Sequence, residues 1–240
     1  MENNTRPPAG TQCDERNVHR GHRSRMKQRF LNHGLDEFDD HVVLELLLFY
    51  AVPQRDVNPL AHILLDHFGT LAAVFDAPVE ELQKIPGVGE NITVLLKMIP
   101  QVARRYLMSR TSFDTVLDSV EKAGEYLLPY FYAQRDEVVY LVCLDAKRKV
   151  LNCQLLFHGS VNSAHVSIRK IVETALIYNS TSVILSHNHT SGIAIPSRED
   201  FNVTKKIRAA LEMVGIELAD HLIVADDDFV SMLETGMLMT

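Results

Sequence analysis

Val183-Ile184-Leu185-Ser186-His187-Asn188-His189-Thr190-Ser191-Gly192, followed by Pro196-Ser197-Arg198-Glu199-Asp200, organises the C-terminal half of this 240-residue chain. The short apolar run 183–185 reads as a buried strand. Residues two apart on an extended chain point to the same side. His187 and His189 therefore face one point in space. Ser197 and Asp200 have the spacing of a capping box, so a helix opens at Arg198 and runs to about Met213. Two histidines and a carboxylate form a ligand set that suits Zn²⁺ and leaves a coordination position for water. Each piece also has a plain structural use: histidines at a strand end, Ser197 and Asp200 as a helix cap. The two uses are compatible. A capping serine accepts through its oxygen and keeps its hydroxyl hydrogen, and an aspartate has two oxygens.

Around this stretch the pattern is that of an α/β domain with a mixed sheet. Residues 116–128 read as an amphipathic helix broken by Pro129. The β-branched run 138–144 reads as a strand, 145–148 as a turn, and 150–157 as the return strand of a hairpin. A loop covers 159–164, and Ser167 is placed to cap a helix over 168–178. A strand over 216–224, a turn at 226–228 and a last strand at 229–231 complete the half.

The N-terminal half is different. Residues 1–17 are polar, with Pro7, Pro8 and Gly10, and are expected to be disordered. Helices are expected at 18–32, 41–50, from Asp56 to about Phe68, at 71–75 and from Pro78. A further helix, after Gly89, runs to about Leu107 and is kinked by Pro100, which lacks a backbone donor. This is a small all-α domain over 18–111. The linker composition of 108–114 separates it from the α/β domain, 112–240.

Between these helices lies Ile85-Pro86-Gly87-Val88-Gly89, which resembles a helix-hairpin-helix. Gly87 and Gly89 permit the tight turn, and the backbone N–H groups there would receive a DNA phosphate. The plain alternative is a packing turn, and the acidic Glu90 opposes an approaching phosphate.

The chain is 46% hydrophobic and 23% charged, as expected of a globular protein. No apolar run is long enough to span a bilayer, and the N-terminus lacks the apolar stretch of a signal peptide. A cytoplasmic protein without a membrane partner is the expectation. Cys13, Cys143 and Cys153 form no close pair and fit free thiols in a reducing compartment. Net charge is −7 and pI ≈ 5.9, so there is no global electrostatic case for nucleic acid. One local exception is Arg16, Arg20, Arg23, Arg25, Lys27 and Arg29, with no acid among them. It reads either as a solvated face or tail, or as a phosphate-facing arm.

The combination His-x-His, seven residues, Ser, two residues, Asp resembles the signature of the JAMM (MPN-plus) metalloproteases. The surrounding Ser191-Gly192, Pro196 to Asp200 and Asp220-His221-Leu222-Ile223-Val224 resemble the bacterial RadC family. So does the order of parts, with Ile85 to Gly89 in a helical domain ahead of the JAMM domain. The resemblance runs from about residue 20 to the end. It implies a JAMM/MPN-like, cytidine-deaminase-like sandwich and a zinc-dependent hydrolase of peptide or isopeptide bonds. It implies His187, His189 and Asp200 as Zn²⁺ ligands, Glu137 as general base and Ser197 as donor to the oxyanion. The protein departs from the family at Thr190, where a proline is usual, and at 167–170, where only Arg169 of a His-Pro-Arg-Glu motif is kept. The rival reading is a DNA-binding accessory protein acting through the helical domain. A zinc deaminase is set aside because its H-x-E and P-C-x-x-C signatures are missing.

Overall fold

The computed structural model describes residues 15–110, 115–159 and 167–236, with side chains from residue 21 onward. The N-terminal tail up to residue 14 and the 159–164 loop beyond Gly159 lie outside the described residues. The chain divides into two compact units, 1–99 and 100–240.

The first unit is helical: α1 (Glu15–His33), α2 (Asp40–Ala51), α3 (Asn58–Phe68), α4 (Leu71–Asp76), α5 (Val79–Lys84) and the start of α6 (Glu90–Arg110). Leu44, Leu48, Leu64, Leu82 and Leu96 are fully buried at its centre. Thr70 Oγ1 accepts from the Ala73 N–H at 3.1 Å and caps α4. Gly87 sits between α5 and α6 at φ +95°, a conformation that only glycine adopts without strain.

Two arginines of the basic run on α1 bond to backbone carbonyls. Arg23 donates to the carbonyls of Val52 at 2.8 Å, Pro53 at 2.6 Å, and Arg55. These follow the C-terminus of α2, where a cation completes the helix dipole. His22 Nε2 lies 3.0 Å from the carboxylate of Glu45, which is buried and also accepts from Asn58 Nδ2 at 2.8 Å. Arg29 bonds the Glu37 carbonyl at 2.6 Å. Arg23 is therefore fixed at the end of α2, whereas Arg29 is bonded but stays on the exposed face. No helix of the described residues is long and apolar enough to cross a membrane.

The second unit is built on a five-stranded mixed sheet of order β2-β1-β3-β4-β5. Its elements are α7 (Val120–Phe131), β1 (Glu137–Leu144), β2 (Val150–Gly159), α8 (Ile168–Ile177), β3 (Ser182–Asn188), α9 (Arg198–Glu212), β4 (Glu217–Ala225) and β5 (Asp228–Ser231). β1 pairs antiparallel with β2 and β3, β3 runs parallel to β4, and β5 turns back along β4. Both faces of the sheet are covered. Val138, Tyr140, Val142 and Leu144 pack with α7, and Val139, Leu141 and Cys143 pack with α8 and α9. That alternation is why 138–144 is apolar at every position. Val183 and Leu185 face α8 and α9, so the parity of β3 sends His187 to that same side.

Three local expectations are corrected. Residues 115–117 are extended, not helical: the Leu117 N–H donates to Arg148 O, the Val150 N–H donates to Thr115 O, and Val116 bridges Lys149. The helix starts only after Ser119, whose side chain accepts from the Lys122 N–H. Pro129 does not break α7, which continues to Phe131. An internal proline costs about 3 kcal/mol, but burying Tyr130 and Phe131 each contributes about 1.5–3 kcal/mol. Ser167 occupies the N-cap of α8, yet its side chain makes no capping bond.

Cys143 and Cys153 are free. Their positions on β1 and β2 are one register step apart, and alternation sends them to opposite faces. Burial pushes the Cys153 thiol up to about 12, against a hydrogen bond with Tyr130 that lowers it, and burial also raises Cys143. Only the thiolate alkylates. Peptide mapping after an iodoacetamide pulse at about pH 8 is therefore expected to find both cysteines unmodified in folded protein and modified in denaturant. Rapid labelling of Cys153 in the folded chain would contradict this.

Candidate metal centre

His187 is the penultimate residue of β3, opposite Val139 on β1 and Ile223 on β4. His189 follows one residue after the strand, with its N–H still bonded to Val224 O at 2.8 Å. The extended path keeps both rings on one side, with centroids 4.9 Å apart. Asp200 comes from the first turn of α9. The capping box is formed: Ser197 Oγ accepts from the Asp200 N–H at 3.1 Å, and Asp200 Oδ2 accepts from the Ser197 N–H at 2.7 Å. The box aims the Asp200 carboxylate at the histidines, with Oδ1 3.2 Å from His187 Nε2 and Oδ2 3.4 Å from His189 Nε2. The three candidate ligand atoms lie within 4.8 Å of one another. Among the described residues this is the only such group of His, Cys, Asp or Glu.

The donor set fits a metal ion. His189 donates through Nδ1 to the Ile193 carbonyl at 3.2 Å, and His187 Nδ1 contacts His221 Nε2 at 2.8 Å. Both Nε2 atoms are left facing Asp200. Burial alone would raise the Asp200 carboxyl, but hydrogen bonds from His187, His189 and Ser197 hold it far below the usual carboxylate range. His189 is raised, chiefly by its bond to Asp200. A half-buried anion with two imidazole nitrogens beside it is the arrangement that a divalent cation completes.

A cavity of about 250 Å³ opens at this point. Glu137, His187, His189, Ser197 and Asp200 all line it, together with Val139, Leu185 and Phe157. So the five site residues expected in this unit are brought together. Gly87 and Gly89, the expected phosphate contacts, belong to the helical unit, where they line a cleft with Glu90 and Asn91.

Sequence reasoning missed three residues. Asn188, between the histidines, points to the opposite face and is buried. Its Oδ1 accepts from the Val138 N–H at 2.7 Å and its Nδ2 donates to Asp136 O at 3.1 Å. These groups flank Glu137, so the amide continues the β1–β3 ladder past its last backbone pair and fixes where Glu137 leaves the strand. Asn188→Leu is expected to speed exchange of the Val138 amide about tenfold, the loss of one hydrogen bond. Metal content should be unchanged. An unchanged exchange rate would dismiss this role.

His221 and Thr204 are the other two. Burial, reinforced by the neighbouring His187, keeps His221 well below the usual histidine range. The signal for this site was a polar pair, Asp220-His221, inside an otherwise apolar strand. Asp220 is buried and accepts from Ser231 Oγ at 2.6 Å and from the Leu233 N–H at 3.1 Å, tying the chain after β5 to β4.

Comparison with known proteins agrees with this geometry. Residues 117–237 match the family described as RadC-like JAB domain. A UPF0758 protein of Ruegeria pomeroyi is 36% identical over 205 residues, which is 85% of this chain and 92% of that protein. UPF0758 proteins of Stutzerimonas stutzeri and Pseudomonas savastanoi pv. phaseolicola are 33% and 32% identical, over 88% and 89% of this chain and 95% and 96% of their own. With its histidine strand, capped aspartate helix and mixed sheet, the chain belongs to the RadC-like JAB-domain family of UPF0758 proteins.

Proposed function

We propose that this protein is a zinc-dependent hydrolase of peptide or isopeptide bonds. The observation that carries the reading is the convergence of His187 Nε2, His189 Nε2 and the Asp200 carboxylate beside a cavity that Glu137 and Ser197 also line. Zinc held by these three residues would supply Lewis-acid polarisation of the substrate carbonyl and an acidified water. Glu137 accepts the proton of the attacking water and returns it to the leaving amine. Ser197 Oγ accepts from the Asp200 N–H, and its hydroxyl hydrogen turns from the Asp200 carboxylate to the oxyanion. Val139, Leu185 and Phe157 give the cavity an apolar wall that excludes bulk water from the reacting groups.

The DNA-binding alternative rests on the turn at Gly87. Glu90, in the first turn of α6, sets a carboxylate at the helix end that would have to receive the phosphate. The hydrolase reading is therefore preferred. Its test is the metal content of the purified chain by plasma emission, with turnover of a panel of quenched peptides and isopeptide-linked substrates. About one zinc per chain is expected, with activity abolished by chelation and restored by zinc. A chain that takes up no stoichiometric zinc at neutral pH would falsify it.

A further inference from the structure

Behind His187 lies a chain of polar contacts that holding a metal does not by itself require. His187 Nδ1 stands 2.8 Å from His221 Nε2, and His221 Nδ1 stands 2.6 Å from Thr204 Oγ1. Thr204 Oγ1 donates to the Asp200 carbonyl at 2.5 Å. Thr204 is fully buried and His221 is 3% exposed.

Each short contact needs one proton, and counting the protons fixes the tautomers. Two oxygens 2.5 Å apart must share a hydrogen, and a carbonyl has none to give. The one hydroxyl hydrogen of Thr204 is therefore spent on Asp200. Thr204 must then accept from His221, which puts the His221 proton on Nδ1. Among the described residues neither ring nitrogen of His221 meets a carboxylate; its Nδ1 hydrogen goes to Thr204 and its Nε2 faces His187 Nδ1. Its Nε2 carries a lone pair and accepts from His187 Nδ1–H. His187 Nε2, 3.2 Å from Asp200 Oδ1, is then the ring nitrogen that a metal ion would take. The opposite order would leave the Thr204 and Asp200 oxygens in contact with no proton between them. It would also put a hydrogen on His187 Nε2, where a metal has to bind.

We infer that Thr204 and His221 are positioning residues that hold His187 in the tautomer whose Nε2 is open to a metal ion. This rests on the reading of His187 as a metal ligand. The partner of a ligating histidine is ordinarily a carboxylate or a backbone carbonyl. His189 follows that pattern through Ile193, whereas His187 is set by a neutral imidazole that is itself set by a hydroxyl.

The experiment uses the full chain with Thr204→Val, which keeps the shape and removes the hydroxyl, and Thr204→Ser, which restores it. Zinc affinity is read by competition with a chromophoric chelator. Ring protonation is read in the metal-free proteins from long-range ¹H–¹⁵N correlations. Wild type and Thr204→Ser are expected to carry the His187 and His221 protons on Nδ1 and to bind zinc with similar affinity. Thr204→Val is expected to move the His221 proton to Nε2 and to bind zinc about 10–100-fold more weakly. A wild-type His221 protonated on Nε2 overturns the inference, as does Thr204→Val binding zinc as tightly as wild type. A wild type that binds no zinc removes the hydrolase reading and this inference with it. That result is distinct from failure of the relay alone, in which zinc binds and the valine variant is indifferent.

Discussion

Glu137→Gln is expected to leave the purified protein with one zinc per chain and almost no turnover, while His187→Ala loses both. The contrast follows from position. Glu137 begins β1 and lines the cavity without joining the group of candidate ligand atoms. A glutamine there keeps the volume and removes the base, and general-base catalysis is worth about 10²–10⁴ in rate. His187 supplies one of the three candidate ligands found among the described residues. Removing it leaves His189 and Asp200, too few for a tetrahedral zinc site. The measurement pairs plasma emission with single-turnover kinetics on the best substrate of the panel. Zinc lost from the glutamine variant would make Glu137 a ligand. Full activity in that variant would remove Glu137 from the mechanism.

Gly124→Val is expected to be the most damaging substitution away from the site. Gly124 is a buried glycine of α7. A Cβ added there would overlap the Phe229 ring of β5 at Cζ, Cε1 and Cε2. The overlap is with the body of an aromatic side chain that packs against the core on that face of the sheet, so it cannot swing aside without opening a gap. Overpacking of this kind costs about 1–3 kcal/mol and occasionally more, and valine carries two further methyl groups into the same space. A loss of about 3 kcal/mol is expected in urea unfolding. In a Phe229→Leu background the same substitution should cost much less, because the overlapped ring is gone. Equal costs in the two backgrounds would show that the contact is not the cause.

The fold was legible where hydrophobic period and capping chemistry agreed. The runs at 138–144 and 183–185 became β1 and β3, and the Ser197-x-x-Asp200 pattern became a formed capping box. The Thr70 cap and the turn at Arg148 followed from the same local rules. What escaped was set by distant partners. Residues 115–117 look like helix by pattern, but Arg148 and Val150 offer them backbone bonds. Pro129 looks like a stop, but Tyr130 and Phe131 have a core to enter. The candidate ligands were visible because their spacing is local, whereas Thr204 and His221 meet only after α9 has been laid back along β4. Asn188 was read only as the residue between two histidines. Its bonds to Asp136 and Val138 depend on a strand fifty positions earlier.

The capping box gives this site an unequal tolerance for decay. Ser197 and Asp200 begin α9 whether or not any chemistry is done there, and losing such a cap costs about 0.5–2 kcal/mol. Glu137 makes no comparable contribution to a helix end. A lineage released from the need for catalysis would therefore shed the glutamate first and keep the serine and aspartate for folding. For chains of this build, a surviving Ser-x-x-Asp says little about activity, and the residue at the head of β1 is the better witness.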